Sequence, residues 1–340
     1  MTGVVYLGES GVAVQNFAKP TPKPGEVVIE MKAAGLCGSD LHKYHMSHAW
    51  AEGRHGMIAG HEPSGVVAEL GSGVNNVAVG DRVCVYHSLG CGHCATCLAG
   101  EPVFCDHEGA FGRTCDGCHA DFMLTDARYC LPLPDDFSFA VGAMLACTAG
   151  TAFAALQKAP LMSGQTLLVF GLGPVGLTVL LMGQAMGFRC MGVDVNTYRI
   201  DLAKRLGNSE IVDQTDVVLA VSKWTGGKGV SGVVECSGSK VARSQTTSVA
   251  ARHATVVIVG AGAPEIILNP TDVLRKELTI RGNAVYSMQA YFDAVDFLQT
   301  HAIRLDDMVT HRFRIEQAAD AFALFDTGNT GKVIFDWDMV

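Results

Sequence analysis

The chain has 340 residues, 49% of them hydrophobic and 17% charged. That composition describes an ordered globular protein of about two domains, not a disordered chain. The net charge is −9 and no basic stripe offsets it, which argues against nucleic acid as the principal partner. No uninterrupted apolar run reaches the ~20 residues of a membrane-spanning helix. The start, Met1-Thr2-Gly3-Val4-Val5-Tyr6, has no basic segment followed by an apolar one, so a cytoplasmic protein without a membrane partner is expected.

The first part of the chain reads as β-rich. Segments 26–32, 64–70 and 81–86 are short and Val-rich, with Gly, Pro and Asn in the gaps between them. Between the first two lie Gly35-Leu36-Cys37-Gly38-Ser39-Asp40-Leu41-His42 and Gly60-His61-Glu62, each a local cluster of possible metal ligands. Cys91, Cys94, Cys97 and Cys105 then place four thiols within fifteen residues. Four thiolates so close suit a tetrahedral zinc ion with no vacant coordination position, a structural site. An iron–sulfur cluster also uses four cysteines, whereas disulfides are not expected in a chain of this size without an export segment. Cys115 and Cys118 form another C-x-x-C pair, read as chance thiols in a loop. Cys84, Cys130, Cys190 and Cys236 sit in apolar runs and read as core.

Near Ser138 the texture changes to a small, apolar, Ala-rich run through Gln157, expected to be helical and carrying Cys147. From Gly164 to about Asn283, strands at 166–170, 190–195, 232–236, 255–260 and 278–281 alternate with helices, including 198–206 and 240–252. Such alternation implies a doubly wound parallel sheet. Helices at 288–301 and 316–325 and a strand at 331–336 are expected to close the chain.

The first of these strands leads into Gly171-Leu172-Gly173-Pro174-Val175-Gly176 and then an apolar helix. The glycines permit a tight turn and close approach of a pyrophosphate, and the helix start offers unpaired N–H donors. Pro174 fits the first helical turn, where its missing N–H costs little. Asp194, eighteen residues after Gly176, ends the second strand, as does the carboxylate that binds an adenosine ribose. Its charge would repel a 2′-phosphate, so NAD is expected over NADP. Arg199 counts the other way, because a guanidinium accepts phosphate.

Taken together, the four-Cys lobe, the Gly-His-Glu segment, the glycine turn and the last strand make the chain resemble, over nearly its whole length, the zinc-dependent alcohol dehydrogenases of the medium-chain dehydrogenase/reductase family. The resemblance implies an α/β protein with a GroES-like, β-rich catalytic domain over 1–150, including a structural zinc lobe at 88–106. An NAD-binding Rossmann domain over 151–284 and a return to the catalytic domain over 285–340 complete it. It implies two zinc ions per chain, the catalytic one held by Cys37, His61 and Cys147 and the structural one by the four lobe cysteines. Asp40 would orient His61, Glu62 would approach the metal during exchange, and Ser39 and His42 would relay the alcohol proton. Thr151, Gly171, Gly173, Pro174, Val175, Gly176, Asp194 and Arg199 would bind the coenzyme, with Lys332 a looser match.

Tyr44, Trp50, Tyr86 and His87 would line the substrate pocket. Cys147 as third ligand tilts the expectation towards primary or secondary alcohols, while the short loops also resemble polyol and sugar-alcohol enzymes. A homotetramer follows by analogy. Two other readings use the same fold: a zinc-free quinone or enoyl reductase, which needs neither four-Cys lobe nor Cys37/His61, and a non-catalytic, crystallin-like NAD-binding protein.

Overall fold

The computed structural model describes residues 1–53, 56–207, 210–213, 217–262 and 268–339. The chain divides into two units. The first holds Met1–Cys147, Ser287–Tyr291 and Val309–Val340, the second Thr148–Tyr286 and Phe292–Met308.

In the first unit the Val-rich segments form a seven-stranded sheet. Its path runs Val309–Phe313, Lys332–Asp336, Glu26–Gly35, Pro63–Leu70, Arg82–Val85 and Cys130–Pro132, with Phe122–Asp126 pairing Glu26–Gly35 off that path. Glu26–Gly35 is the axis of this unit. Ala34 pairs with Pro63 on one side and with Phe335 on the other, both antiparallel. Residues from opposite ends of the sequence therefore meet across its last turn. Ala33, Ala140, Ala143 and Ile334 pack as one buried cluster. Small side chains thus let the helix Phe139–Met144 lie close on the sheet.

That helix starts at Ser138, whose hydroxyl accepts the N–H of Val141 at 3.1 Å. It passes into a π-helical turn, Leu145–Ala149, and resumes as α-helix over Gly150–Gln157. The whole run, Phe139–Gln157, has mean hydropathy 1.8 and is long enough to cross a membrane. It is 94% buried within the protein, as a core helix is.

The second unit carries a six-stranded sheet in the order Ile211–Asp213, Arg189–Asp194, Thr166–Phe170, Val230–Glu235, Ala250–Ile258, Thr279–Gly282. Every pairing is parallel, so all six strands end on one edge. The order reverses beside Thr166–Phe170, the position at which doubly wound sheets bind ligands. Leu168, Phe170, Met191, Val193, Val233 and Val256 belong to its core.

Several details differ from the sequence expectations. The three-residue strand Ile211–Asp213 is too short to register as an apolar period. The helix from Lys240 stops at Val249, and Ala250 already begins a strand. The segment 285–340 does not return whole to the first unit, because Phe292–Met308 groups with the second. There Phe297 packs on Phe153 with ring centroids 5.5 Å apart, and Met308 receives the Thr178 hydroxyl at 3.5 Å.

Candidate active site

Cys37, His61, Glu62 and Cys147 bring one ligand atom each to within 4.8 Å of one another, all inside the first unit. Cys37 stands at the start of the helix Gly38–Tyr44, and its backbone N–H donates to Asp40 Oδ2 at 3.0 Å. Cys147 sits in the π-helical turn, a feature common at functional sites. His87 donates from Nδ1 to the Ala146 carbonyl at 2.6 Å. A carbonyl only accepts, so this bond fixes the His87 tautomer. Burial then keeps that ring neutral, its pKa pushed down to about 4.

His61 is oriented from behind. Asp40 Oδ1 lies 3.2 Å from His61 Nδ1, leaving Nε2 for the donor cluster, where Ser39 Oγ is 3.4 Å away. Asp40 is itself buried and held by the Tyr6 hydroxyl at 3.1 Å and by Lys43 at 3.7 Å. Burial favours its neutral form, but the charge on His61 prevails and holds it well below the usual carboxylate range. The same pairing overcomes burial at His61 and raises it to about 10. Proton and metal compete for that ring. A hydrogen bond from Cys147 lowers Cys37 far below its ordinary value and raises Cys147 in return. A thiolate, an imidazole and a second sulfur form a donor set that suits zinc.

Glu62 and Lys332 are both fully buried and form an ion pair, and Lys332 Nζ also donates to the Leu36 carbonyl at 2.9 Å. The pair sits over Gly35, where an added Cβ would overlap the Glu62 carboxylate and come within 2.8 Å of Lys332 Cε. Lys332, which the resemblance aligned loosely with coenzyme contacts, pairs here with Glu62. Of the relay pair, Ser39 is half-buried beside His61 and His42 is exposed.

The aromatic residues expected at the substrate pocket separate into two groups. Tyr44 packs on Phe322 at 5.3 Å and Trp50 on Tyr6 at 6.1 Å, an aromatic cluster that supports the Asp40 helix. Tyr86 is fully buried between His87 and Tyr129, at 6.0 and 6.4 Å. His87 approaches the donor cluster, with its ring centroid 5.4 Å from that of His61. Tyr6 was not anticipated, since nothing in its local sequence marks it. His119 was not anticipated either. It is fully buried, contacts the Gly35 carbonyl through Nε2 at 3.2 Å, and leaves Nδ1 without a partner among the described residues.

The lobe cysteines gather as a second set, their sulfurs within 4.8 Å of one another. Cys94 and Cys105 sulfurs are 3.8 Å apart, matching the edge of about 3.8 Å in a tetrahedron built on zinc–sulfur bonds. Backbone N–H groups of Cys91 and His107 each point to Cys105 Sγ at 3.4 Å, as thiolate acceptors require. All twelve cysteines are free. Cys115 and Cys118 belong to neither set.

In the second unit, Gly171 has φ +84°, and an added Cβ there would meet the Ser237 nitrogen at 2.7 Å. At Gly176 a Cβ would overlap the Gly171 carbonyl, so helix and turn touch backbone to backbone. Gly173 faces open space and starts the helix Pro174–Ala185 without a side-chain cap. The first-turn N–H groups, including that of Val175, are thus left for an anion. Gly176→Val is expected to weaken NADH binding at least tenfold, or to unfold the unit, read by fluorescence titration alongside a melting curve.

The buried Asp194 carboxylate accepts N–H groups from Leu172 at 2.6 Å, Val195 at 2.7 Å and Asn196 at 2.9 Å. It braces the turn while setting negative charge at the strand end. Arg199 Nε is buried without a partner among the described residues, as is the Thr151 hydroxyl.

Residues 23–135 match the alcohol dehydrogenase GroES-like domain, and residues 174–300 match zinc-binding dehydrogenase. The chain is 34% identical to an uncharacterised zinc-type alcohol dehydrogenase-like protein of Escherichia coli, covering 98% of both. It is 30% identical to an L-threonine 3-dehydrogenase of Bacillus velezensis, covering 95% of each. Among solved structures, 2R,3R-butanediol dehydrogenase from Bacillus subtilis superposes with a TM-score of 0.88 at 26% identity, over 98% of this chain and 99% of that one. The chain belongs to the zinc-dependent alcohol dehydrogenase family of medium-chain dehydrogenases/reductases. It is an oxidoreductase acting on the CH–OH group of its donors.

Proposed function

We propose that this enzyme oxidises a secondary alcohol carrying a polar group on the neighbouring carbon, with NAD as hydride acceptor and two zinc ions per chain. The observation that carries the reading is the cluster of Cys37, His61 and Cys147 with Asp40 behind the imidazole and Ser39 beside it. A zinc ion held by those three residues would supply Lewis acidity to a substrate oxygen and lower the pKa of its hydroxyl. Cys91, Cys94, Cys97 and Cys105 would hold the other ion for structure alone. The substrate class rests on the relatives: L-threonine and 2,3-butanediol, after which two of them are named, both carry a heteroatom beside a secondary carbinol.

Asp40 keeps the His61 tautomer that turns Nε2 to the cluster. Ser39 takes the hydroxyl proton, and the exposed His42 passes it to solvent. Lys332 pairs with Glu62 beside Cys37, His61 and Cys147 and opposes the burial that raises its carboxyl to about 7. On the coenzyme side the uncapped turn at Gly173 would receive the pyrophosphate and Asp194 the adenosine ribose. Bound there, the coenzyme would supply the hydride acceptor, a chemistry that belongs to its nicotinamide. Free thiols throughout favour a reducing, cytoplasmic compartment, and family analogy supports a homotetramer.

Elemental analysis together with a turnover screen over simple alcohols, vicinal diols and amino alcohols, with both coenzymes, tests this. About two zinc ions per chain and faster NAD-linked turnover of vicinally substituted alcohols are expected, and a single zinc would remove the catalytic half. Asp194→Ser should raise the KM for NAD roughly tenfold, as loss of a charged hydrogen bond does. It should also increase relative use of NADP. An unchanged coenzyme ratio would count against the ribose contact.

A further inference from the structure

We propose that Tyr6 is a positioning residue for the His61 imidazole, its hydroxyl fixing the Asp40 oxygen against which that ring is set. The inference rests on the zinc reading above. Asp40 is fully buried and Tyr6 only 8% exposed. The Tyr6 hydroxyl donates to Asp40 Oδ1 at 3.1 Å, the same oxygen that lies 3.2 Å from His61 Nδ1. The other oxygen, Oδ2, accepts the Cys37 N–H at 3.0 Å. Backbone thus holds one oxygen, and the phenol holds the one that faces the imidazole. Lys43 approaches Oδ1 only to 3.7 Å, the distance of an ion pair rather than a hydrogen bond. Among the described residues, the phenol is therefore what keeps Oδ1 in place besides the imidazole itself.

The strand that carries Tyr6 is tied to both partners. Tyr6 lies in Thr2–Gly8, which pairs with Gly11–Asn16. In the turn between them, the Glu9 N–H donates to the Met46 carbonyl at 2.6 Å and the Ser10 N–H to that of Tyr44 at 2.8 Å. Those carbonyls stand at the end of the helix Gly38–Tyr44, which carries Asp40, and just beyond it. Two residues before Tyr6, the Val4 carbonyl accepts the Ala59 N–H at 2.8 Å, in the segment that leads into His61. Backbone bonds on either side of Tyr6 thus set its strand against the helix of Asp40 and the segment of His61. Phe322 and Trp50 meet the ring edge-on at 5.9 and 6.1 Å, which limits its swing. Burial and the Asp40 charge push the Tyr6 hydroxyl well above its ordinary value, so it keeps the proton it donates. A ring that served only this aromatic cluster would need no hydroxyl, and phenylalanine would fill the space without a buried polar group to satisfy.

The test reads how firmly the chain holds its metal, alongside turnover. Zinc-loaded native protein and variants are mixed with excess pyridylazoresorcinol, and release to this coloured chelator is followed in time. Cys37→Ala, which should keep only the lobe ion, identifies the release that belongs to the other ion. Tyr6→Phe keeps the ring and its packing. It should release the cluster ion roughly tenfold faster and the lobe ion within about twofold of native, as loss of an outer hydrogen bond does. It should also lower kcat severalfold at an unchanged KM. Asp40→Asn should release the cluster ion faster still, and adding Tyr6→Phe to it should change nothing further, because one acts through the other. Phe322→Leu loosens the ring packing and keeps the hydroxyl, so it should lower the melting temperature and leave release within about twofold of native. Unchanged or slower release from Tyr6→Phe overturns the proposal and leaves the zinc reading standing. So does a Tyr6→Phe effect undiminished in the Asp40→Asn background, or a Phe322→Leu effect on release that equals it. If Asp40→Asn does not fold, the comparison of Tyr6→Phe with Phe322→Leu decides. Native protein that releases only the lobe ion overturns the proposal and the zinc reading together.

Discussion

Cys37→Ala is expected to lower kcat about a thousandfold, the loss of several kcal/mol of Lewis-acid stabilisation. Zinc content should fall from two ions per chain to one, with NADH affinity within about twofold of the native protein. The fold should survive. The Cys37 contribution to the Asp40 network is its backbone N–H, 3.0 Å from Asp40 Oδ2, which Ala keeps. The dinucleotide turn lies wholly in the second unit, so coenzyme affinity reports separately from the metal. Steady-state kinetics, metal analysis and a coenzyme titration on one preparation settle the result. Near-native turnover with two zinc ions would mean that this sulfur is not a ligand.

Features that depend on short-range chemistry were legible in the sequence. The four lobe cysteines fall within one tight stretch, and strand, glycine turn and helix are contiguous at 166–185, so spacing alone announces them. Cys37, His61 and Cys147 are far apart in sequence, and only the family resemblance joined them. The π-helical turn around Cys147 left no trace in an Ala-rich run that reads as uninterrupted helix. Other contacts depend on strand pairing across the chain. Lys332 reaches Glu62 because the last strand and Pro63–Leu70 flank the same central strand. Tyr6 reaches Asp40 by a similar long-range route. Tyr44 and Trp50, which the resemblance sets near the substrate pocket, pack on Phe322 and Tyr6. Aromatic type alone does not distinguish a cleft from a core.

Lys332→Met should destabilise the protein by about 3–5 kcal/mol, the usual result of deleting one partner of a buried ion pair. Met keeps much of the chain length, so packing over Gly35 changes little and the charge is what is lost. Burial already pushes the Glu62 carboxyl above its usual range while Lys332 pulls it back. Removing that cation moves it further up. A carboxyl whose folded pKa exceeds its unfolded one binds more protons when folded, so stability falls as pH rises between the two values. The deficit of Lys332→Met should therefore be smaller at pH 5 than at pH 8. Pairing it with Glu62→Gln removes the uncompensated charge and should recover most of the loss. Urea midpoints of the four proteins at both pH values complete the cycle. Additive losses in the double variant would show that the two side chains act independently, and the ion pair would then have no part in holding Glu62 near Cys37, His61 and Cys147.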